Sequence, residues 1–293
     1  MNFLLKSLLI AAMLSCAMTA SAADDIRGDI NGDGDVSIQD VTTLINYLLT
    51  GYWGDETVEP TTKVITVNGV SFSMVFVEGG TFPMGITSDL DPDAERNESP
   101  IHDVTLWDYY ICQIPVTQEL WLAVMGENPS LCQGNLQQPV ENVSRFDCAI
   151  FVDRLTELTG RVFRMPTEAE WEYAARGGNR SRGYRFAGSD DIDAVAWYDD
   201  NSGGRTHAVA ALEANELGLF DMSGNVAEWC EDFYMAYDSM PQVNPIGPES
   251  GTECVIRGGS YAQAASQCRV YYRDKARPEY RSGTVGLRVV MNP

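Results

Sequence analysis

Asp29, Asn31, Asp33, Asp35, Ser37 and Asp40 stand at positions 1, 3, 5, 7, 9 and 12 of a short loop, with Gly34 at position 6. That spacing wraps oxygen atoms round one calcium ion: side chains serve the odd positions, Asp35 gives its carbonyl, Asp40 closes the shell and the glycine permits the sharp turn. A second convergent set lies in Asp221-Met222-Ser223-Gly224-Asn225-Val226-Ala227-Glu228. There the Asp221 and Glu228 carboxylates and the Gly224 and Val226 carbonyls suit a hard cation, although a capping role for Asp221 and a buried salt bridge for Glu228 also fit. A third chemical feature is one sulfur, Cys268, in Cys268-Arg269-Val270-Tyr271-Tyr272-Arg273. With His102 and His207 as the chain's 2 histidines, a two- or three-histidine metal site is almost excluded, and no nucleophile elbow or phosphate loop stands out.

The elements that position these groups follow from patterning. Lys6, the apolar stretch Leu8 to Leu14 and Ala20-Ser21-Ala22 read as a secretory leader over residues 1–22, so export to the periplasm, the cell surface or the medium is expected. Cys16 offers lipoprotein anchoring as the less favoured alternative, because Met13-Leu14-Ser15 fits a lipobox poorly. No other stretch reaches the ~18 to 20 apolar residues that span a bilayer. The formal net charge of -22 argues against nucleic acid and anionic lipid as partners and suits calcium. Six cysteines follow the leader, namely Cys112, Cys132, Cys148, Cys230, Cys254 and Cys268, and the sequence leaves their pairing open.

After the calcium loop, Val41, Leu44, Ile45, Leu48 and Leu49 fall at helical spacing and Gly51 ends the helix, giving a small EF-hand-like loop-helix over 23–51. Residues 52–63 read as a linker and 64–293 as the main domain. Alternating apolar residues from Val64 to Val77 round Asn68-Gly69 predict a β-hairpin, and Val104-Trp107 and Tyr109-Ile111 predict strands. Helices are predicted from Thr117 to Met125, from Phe146 to Leu158 and from Pro166 to Arg176, the last with Thr167 as N-cap and Glu170 at the capping-box position.

Residues 27–51 resemble one repeat of a type I dockerin, a calcium-binding unit that docks onto cohesin modules. Dockerins carry two such repeats and one is present here, which argues against a cohesin partner and for a calcium-stabilised spacer. Four motifs in the main domain resemble the formylglycine-generating enzyme family, also called sulfatase-modifying factors. They are Gly80-Thr81-Phe82-Pro83-Met84-Gly85; Arg164-Met165-Pro166-Thr167-Glu168-Ala169-Glu170-Trp171-Glu172-Tyr173; Gly218-Leu219-Phe220-Asp221 through Glu228-Trp229; and Arg257-Gly258-Gly259-Ser260 with Gly286-Leu287-Arg288. The resemblance implies an α+β, irregular fold with little regular secondary structure, related to C-type lectins and held by buried ion pairs, aromatic residues and calcium. It also implies a structural calcium at Asp221, Gly224, Val226 and Glu228, so that two calcium sites are expected in the chain, and a buried ion pair for Arg288.

In the catalytic members of that family two cysteines five residues apart hold Cu(I), and with oxygen they convert a sulfatase cysteine to formylglycine. Cys268 matches the first of them, while Arg273, five residues on, is a guanidinium that cannot ligate copper. The reading is therefore of an exported domain that has lost copper oxidation and acts as a ligand- or protein-binding module. The alternative is an oxidase with an atypical copper site in which Cys268 is catalytic. A Cys230 to Cys268 disulfide and a free thiol at Cys268 stay equally open. Tyr261, Ser266, Arg269, Tyr271 and Arg273 are the expected contact residues, because tyrosine and arginine dominate binding hot spots. Their positive charge is expected to favour an anionic glycan or an acidic peptide.

Overall fold

Alternation and capping account for most of the regular elements. The computed structural model describes residues 62–293, inside one compact unit, Pro60–Pro293. The leader, the calcium loop with Asp29, Asn31, Asp33, Asp35 and Asp40, and most of the expected linker lie outside the described residues. β1 (Thr62–Val67) and β2 (Val70–Val77) form the predicted hairpin, with Asn68 and Gly69 at φ 47° and 84°, the left-handed pair a two-residue turn requires. β1 begins two residues inside the expected linker because Thr62 and Lys63 pair with Val75 and Met74.

β3 (Gly80–Met84), β4 (His102–Leu106) and β5 (Tyr109–Cys112) follow. Then come α1 (Gln118–Met125), capped by Thr117 Oγ1, and α2 (Arg145–Thr159), whose Ser144 and Asp147 complete a capping box. After β6 (Phe163–Arg164), α3 (Glu168–Ala175) starts with the predicted Thr167–Glu170 capping box. A single turn, α4 (Ile192–Val195), and a long irregular stretch lead to β7 (Ala227–Phe233), β8 (Gln242–Val243), β9 (Cys254–Arg257), β10 (Arg273–Ala276), β11 (Val285–Gly286) and β12 (Val290–Met291).

The strands make three small sheets, ordered β1-β2-β5-β12-β6, β10-β9-β7-β11 and β3-β4-β8. The fold is thus mixed and irregular, as expected, with few helices. α1 and α2 pack on the first sheet, where the Trp121 and Phe151 rings stack at 4.9 Å over a core that includes Met74, Tyr110, Leu155 and Trp229. α3 buries all eight of its residues between the sheets, so its three carboxylates, Glu168, Glu170 and Glu172, enter the interior and need counter-charges there. None of the helices among the described residues is long and apolar enough to cross a membrane.

Candidate functional site

β9 ends at Arg257, and the chain turns through Gly258 and Gly259 at φ 97° and 68° into the loop that carries Ser260, Tyr261 and Cys268. A Cβ on Gly259 would lie 2.8 Å from Cys268 Sγ and 2.5 Å from the Gln267 carbonyl oxygen, so only glycine lets the loop close on its own end. Cys268 is fully buried and packs with Phe186, Val195 and Tyr198. Burial, reinforced by the Asp199 carboxylate and opposed by a hydrogen bond from the Ser260 backbone, pushes its thiol up to about 12. At neutral pH it is a protonated, unreactive sulfur.

Arg273 does not stand opposite that sulfur. It lies on β10 paired with Arg257, and its Nε and Nη2 donate to the Glu168 carboxylate at 2.6 and 2.7 Å. Five residues in the other direction is Gln263, in the same loop as Cys268, with its amide N bonded to the Ser260 carbonyl and its carbonyl accepting from Asp199 N. Neither neighbour offers a second thiolate. All six described cysteines are free, and Cys230 sits in a different apolar cluster, so the Cys230–Cys268 bridge is not formed. Among the described residues there is no group of three or more His, Cys, Asp or Glu placed to hold a metal. The residues present do not fit a two-thiolate copper site.

The expected contact surface is corrected for its arginines. Arg269 and Arg273 are 1% and 2% exposed. Arg269 donates from both terminal nitrogens to Glu98 at 2.8 Å and from Nε to the Ser266 carbonyl. Arg273, besides Glu168, reaches the Asn97 and Met235 carbonyls and lies over the rings of Tyr234 and Tyr237. Tyr271 is buried beneath the Arg176 guanidinium. These three are internal struts, unable to meet a ligand from solvent. Tyr261 and Ser266 remain partly exposed.

The partners were hidden in the helix motif. On α3, Glu168 takes Arg273, Glu170 takes Arg164 in a two-pronged pair at 2.6 and 2.7 Å, and Glu172 takes Arg176 and the fully buried Arg257. Burial works to raise Glu172, yet Arg176 and Arg257 leave it below the usual carboxylate range. Asp232, buried beside Glu168 without a cation of its own, is pushed up to about 8 by desolvation first and the Glu168 charge second.

The predicted second calcium set is tied to protein donors. Arg288 Nε lies 3.1 Å from each oxygen of Glu228, and Trp171 Nε1 donates to the same carboxylate at 2.7 Å. Glu228 therefore has its cation already, in the ion pair expected for Arg288. Asp221 accepts from Ala210 N at 2.8 Å and Asn225 Nδ2 at 3.0 Å, and burial raises it. Gly224 and Val226 are buried, and a Cβ on Gly224 would lie 2.3 Å from the Trp197 carbonyl oxygen, so the turn brings backbones together. Both carboxylates of the set thus have protein donors.

What faces outward near Cys268 is Tyr261, anchored through its carbonyl to Ser202 Oγ at 2.7 Å, beside Trp197 and His207 stacked at 3.8 Å. His207 N and Tyr261 N both bond to Asn225, which ties the stack to the loop. Two buried polar atoms in this neighbourhood lack a partner: Trp197 Nε1, and Glu141 Oε2, which lies 3.5 Å from where a Gly283 Cβ would stand, as Tyr261 Oη does. Neither Trp197 nor Glu141 was singled out by spacing, because each is placed by segments distant in the chain. His102 is structural, with Nδ1 at the Pro100 carbonyl and its ring against Tyr237.

Comparisons with known proteins agree on the kinship. Residues 66–293 match the sulfatase-modifying factor enzyme 1-like domain and residues 27–67 match the dockerin type I domain. A chaperone protein LppX of Paenibacillus barcinonensis is 32% identical, the match covering 75% of this chain and 90% of that one. The formylglycine-generating enzyme of Streptomyces coelicolor is 36% identical over 53% of each protein. Among solved structures, Treponema denticola variable protein 1 superposes with a TM-score of 0.73 at 32% identity, over 80% of this chain and 100% of that one.

Proposed function

The chain belongs to the sulfatase-modifying factor enzyme 1-like domain family, and from that premise we propose that it is a binding member of the family without copper oxidation. The observation that carries this reading is Cys268: one fully buried thiol, held protonated by its surroundings, with an amide at Gln263 and a committed guanidinium at Arg273 on either side along the chain. A cuprous ion needs two soft donors facing one point, and oxidation of a substrate thiol needs that ion open to solvent on one side.

The reading is supported by what the same loop does present. Tyr261 and Ser266 on that loop, with the Trp197–His207 stack of the neighbouring segment tied to it through Asn225, offer aromatic area and hydrogen-bonding groups, and the Arg269–Glu98 ion pair locks the loop from behind. Such rigid aromatic contacts bind with little loss of conformational freedom. Calcium in this reading belongs to the N-terminal loop, where Asp29, Asn31, Asp33, Asp35 and Asp40 fall within the dockerin type I match. That match supports a calcium-stabilised spacer over residues 27–67, with a cohesin-type partner as the alternative a single repeat disfavours, and the leader pattern of residues 1–22 supports export.

The experiment is copper stoichiometry on purified full chain together with oxygen uptake on a sulfatase-type cysteine peptide. The expected result is no retained Cu(I) and no thiol-dependent oxygen consumption. One tightly held Cu(I) per chain with turnover of the peptide overturns the proposal.

A further inference from the structure

The turn between β4 and β5 carries Trp107, 74% exposed, more than any other aromatic among the described residues. Its exposure is not looseness. Trp107 N donates to Asn244 Oδ1 at 2.8 Å, Asn244 N donates to the Thr105 carbonyl at 2.8 Å, and Gly79 N donates to Asp108 Oδ1 at 2.7 Å. Asn244 is held at φ 43°, and its Nδ2 is buried with no hydrogen-bond partner. Trp107, Asp108 and Asn244 line one open groove of about 870 Å³, together with Arg164, Glu231 and Ile246, and none of the Cys268 loop contributes to it.

We propose that this groove is a carbohydrate-binding site that takes a neutral oligosaccharide. The C–H face of a pyranose is apolar and flat, so it stacks on an indole that a rigid turn holds out into solvent. The ring hydroxyls both donate and accept, which matches the groove's mixed wall, where Asn244 and Asn292 stand with the carboxylates of Asp108 and Glu231 as acceptors. Volume is sufficient for a few sugar units rather than one.

Charge sets the sign of the ligand. Arg164, the groove's cation, is committed to Glu170 through two hydrogen bonds, so no free positive group remains among the lining residues to hold a sulfate or uronate. Glu231 is likewise paired, with Arg145 at 3.0 Å, which leaves Asp108, on a chain of net charge -22, to disfavour an anionic chain. A peptide is the weaker fit, because the apolar area stands on ridges, Trp107 and the 70% exposed Ile246, instead of in recesses that would bury side chains. This inference does not depend on the reading of Cys268 and can fail separately from it.

The test is calorimetric titration of the full chain with cello-, xylo-, manno- and galacto-oligosaccharides, followed in parallel by the Trp107 indole N–H signal in NMR. Chondroitin sulfate and a lysine-rich peptide serve as the competing classes. At least one neutral oligosaccharide is expected to bind more tightly than about 1 mM and to shift the Trp107 signal. Trp107→Ala, which removes an exposed side chain, should weaken that binding about tenfold or more at unchanged melting temperature, and Trp107→Phe should keep most of it. No binding by any neutral member, binding indifferent to Trp107→Ala, or binding at Trp107 by the sulfated chain or the peptide alone would each overturn the proposal.

Discussion

Asp232 makes stability fall as pH rises, and replacing it by asparagine should remove that slope. Its carboxyl is 5% exposed, accepts the Glu168 amide hydrogen at 2.9 Å and is enclosed by Gly247, whose Cβ, were there one, would stand 2.9 Å from Asp232 Cβ. Burial and the Glu168 carboxylate lift it to about 8, against about 3.9 in an unfolded chain. The folded state therefore holds a proton that the unfolded state has released throughout that interval. With more protons bound in the native state, stability declines with rising pH, by about 1.4 kcal/mol per unit, and the loss is complete above the folded pKa. Between pH 5 and pH 8 the loss amounts to on the order of 4 kcal/mol. Asp232→Asn keeps an oxygen for the Glu168 amide and never ionises. Urea unfolding of both proteins at pH 5 and pH 8 should show the variant gaining on the wild type by that amount across the interval. If the difference between the two curves stays constant within about 0.5 kcal/mol, Asp232 is ionised at both pH values and the reasoning fails.

Arg269→Met should destabilise the protein by about 3–5 kcal/mol, because it strands the buried Glu98 carboxylate, and adding Glu98→Gln should recover part of that loss in chemical denaturation. A loss below about 1 kcal/mol would mean that Arg269 faces solvent in the native protein. In a thiol titration of native protein at pH 8, Cys132, partly exposed, should be the one described cysteine that reacts, while Cys112, Cys148, Cys230, Cys254 and Cys268 become available after denaturation. Rapid modification of Cys268 without unfolding would remove the basis for treating it as an inert core sulfur.

The helices and the first hairpin could be read in advance because their signals are local. Thr117, Ser144 with Asp147, and Thr167 with Glu170 each cap a helix through contacts three residues apart, and Asn68-Gly69 supplies the backbone angles its turn needs. The family motifs lie along the chain in the same way, and their order was enough to anticipate the irregular mixed fold and the Arg288 ion pair.

The site was less legible. Arginines between Cys268 and Arg273 look like a cationic surface, yet Glu98 and Glu168 come from 171 and 105 residues away to neutralise Arg269 and Arg273 in the interior. Glu228 likewise looks like a metal ligand until Arg288 and Trp171 are seen to occupy it. Trp107 could be read as one more strand residue, and becomes a ridge of a groove only beside Asn244 and Ile246. Residue types and short spacings announce helix ends, turns and the guanidinium five residues after Cys268, since these are matters of neighbouring bonds. Whether a charge points at solvent or at an opposite charge depends on where the fold brings its partner, and burial, not composition, sets the outcome, because a lone ion inside the protein is so costly that a partner must be brought to it.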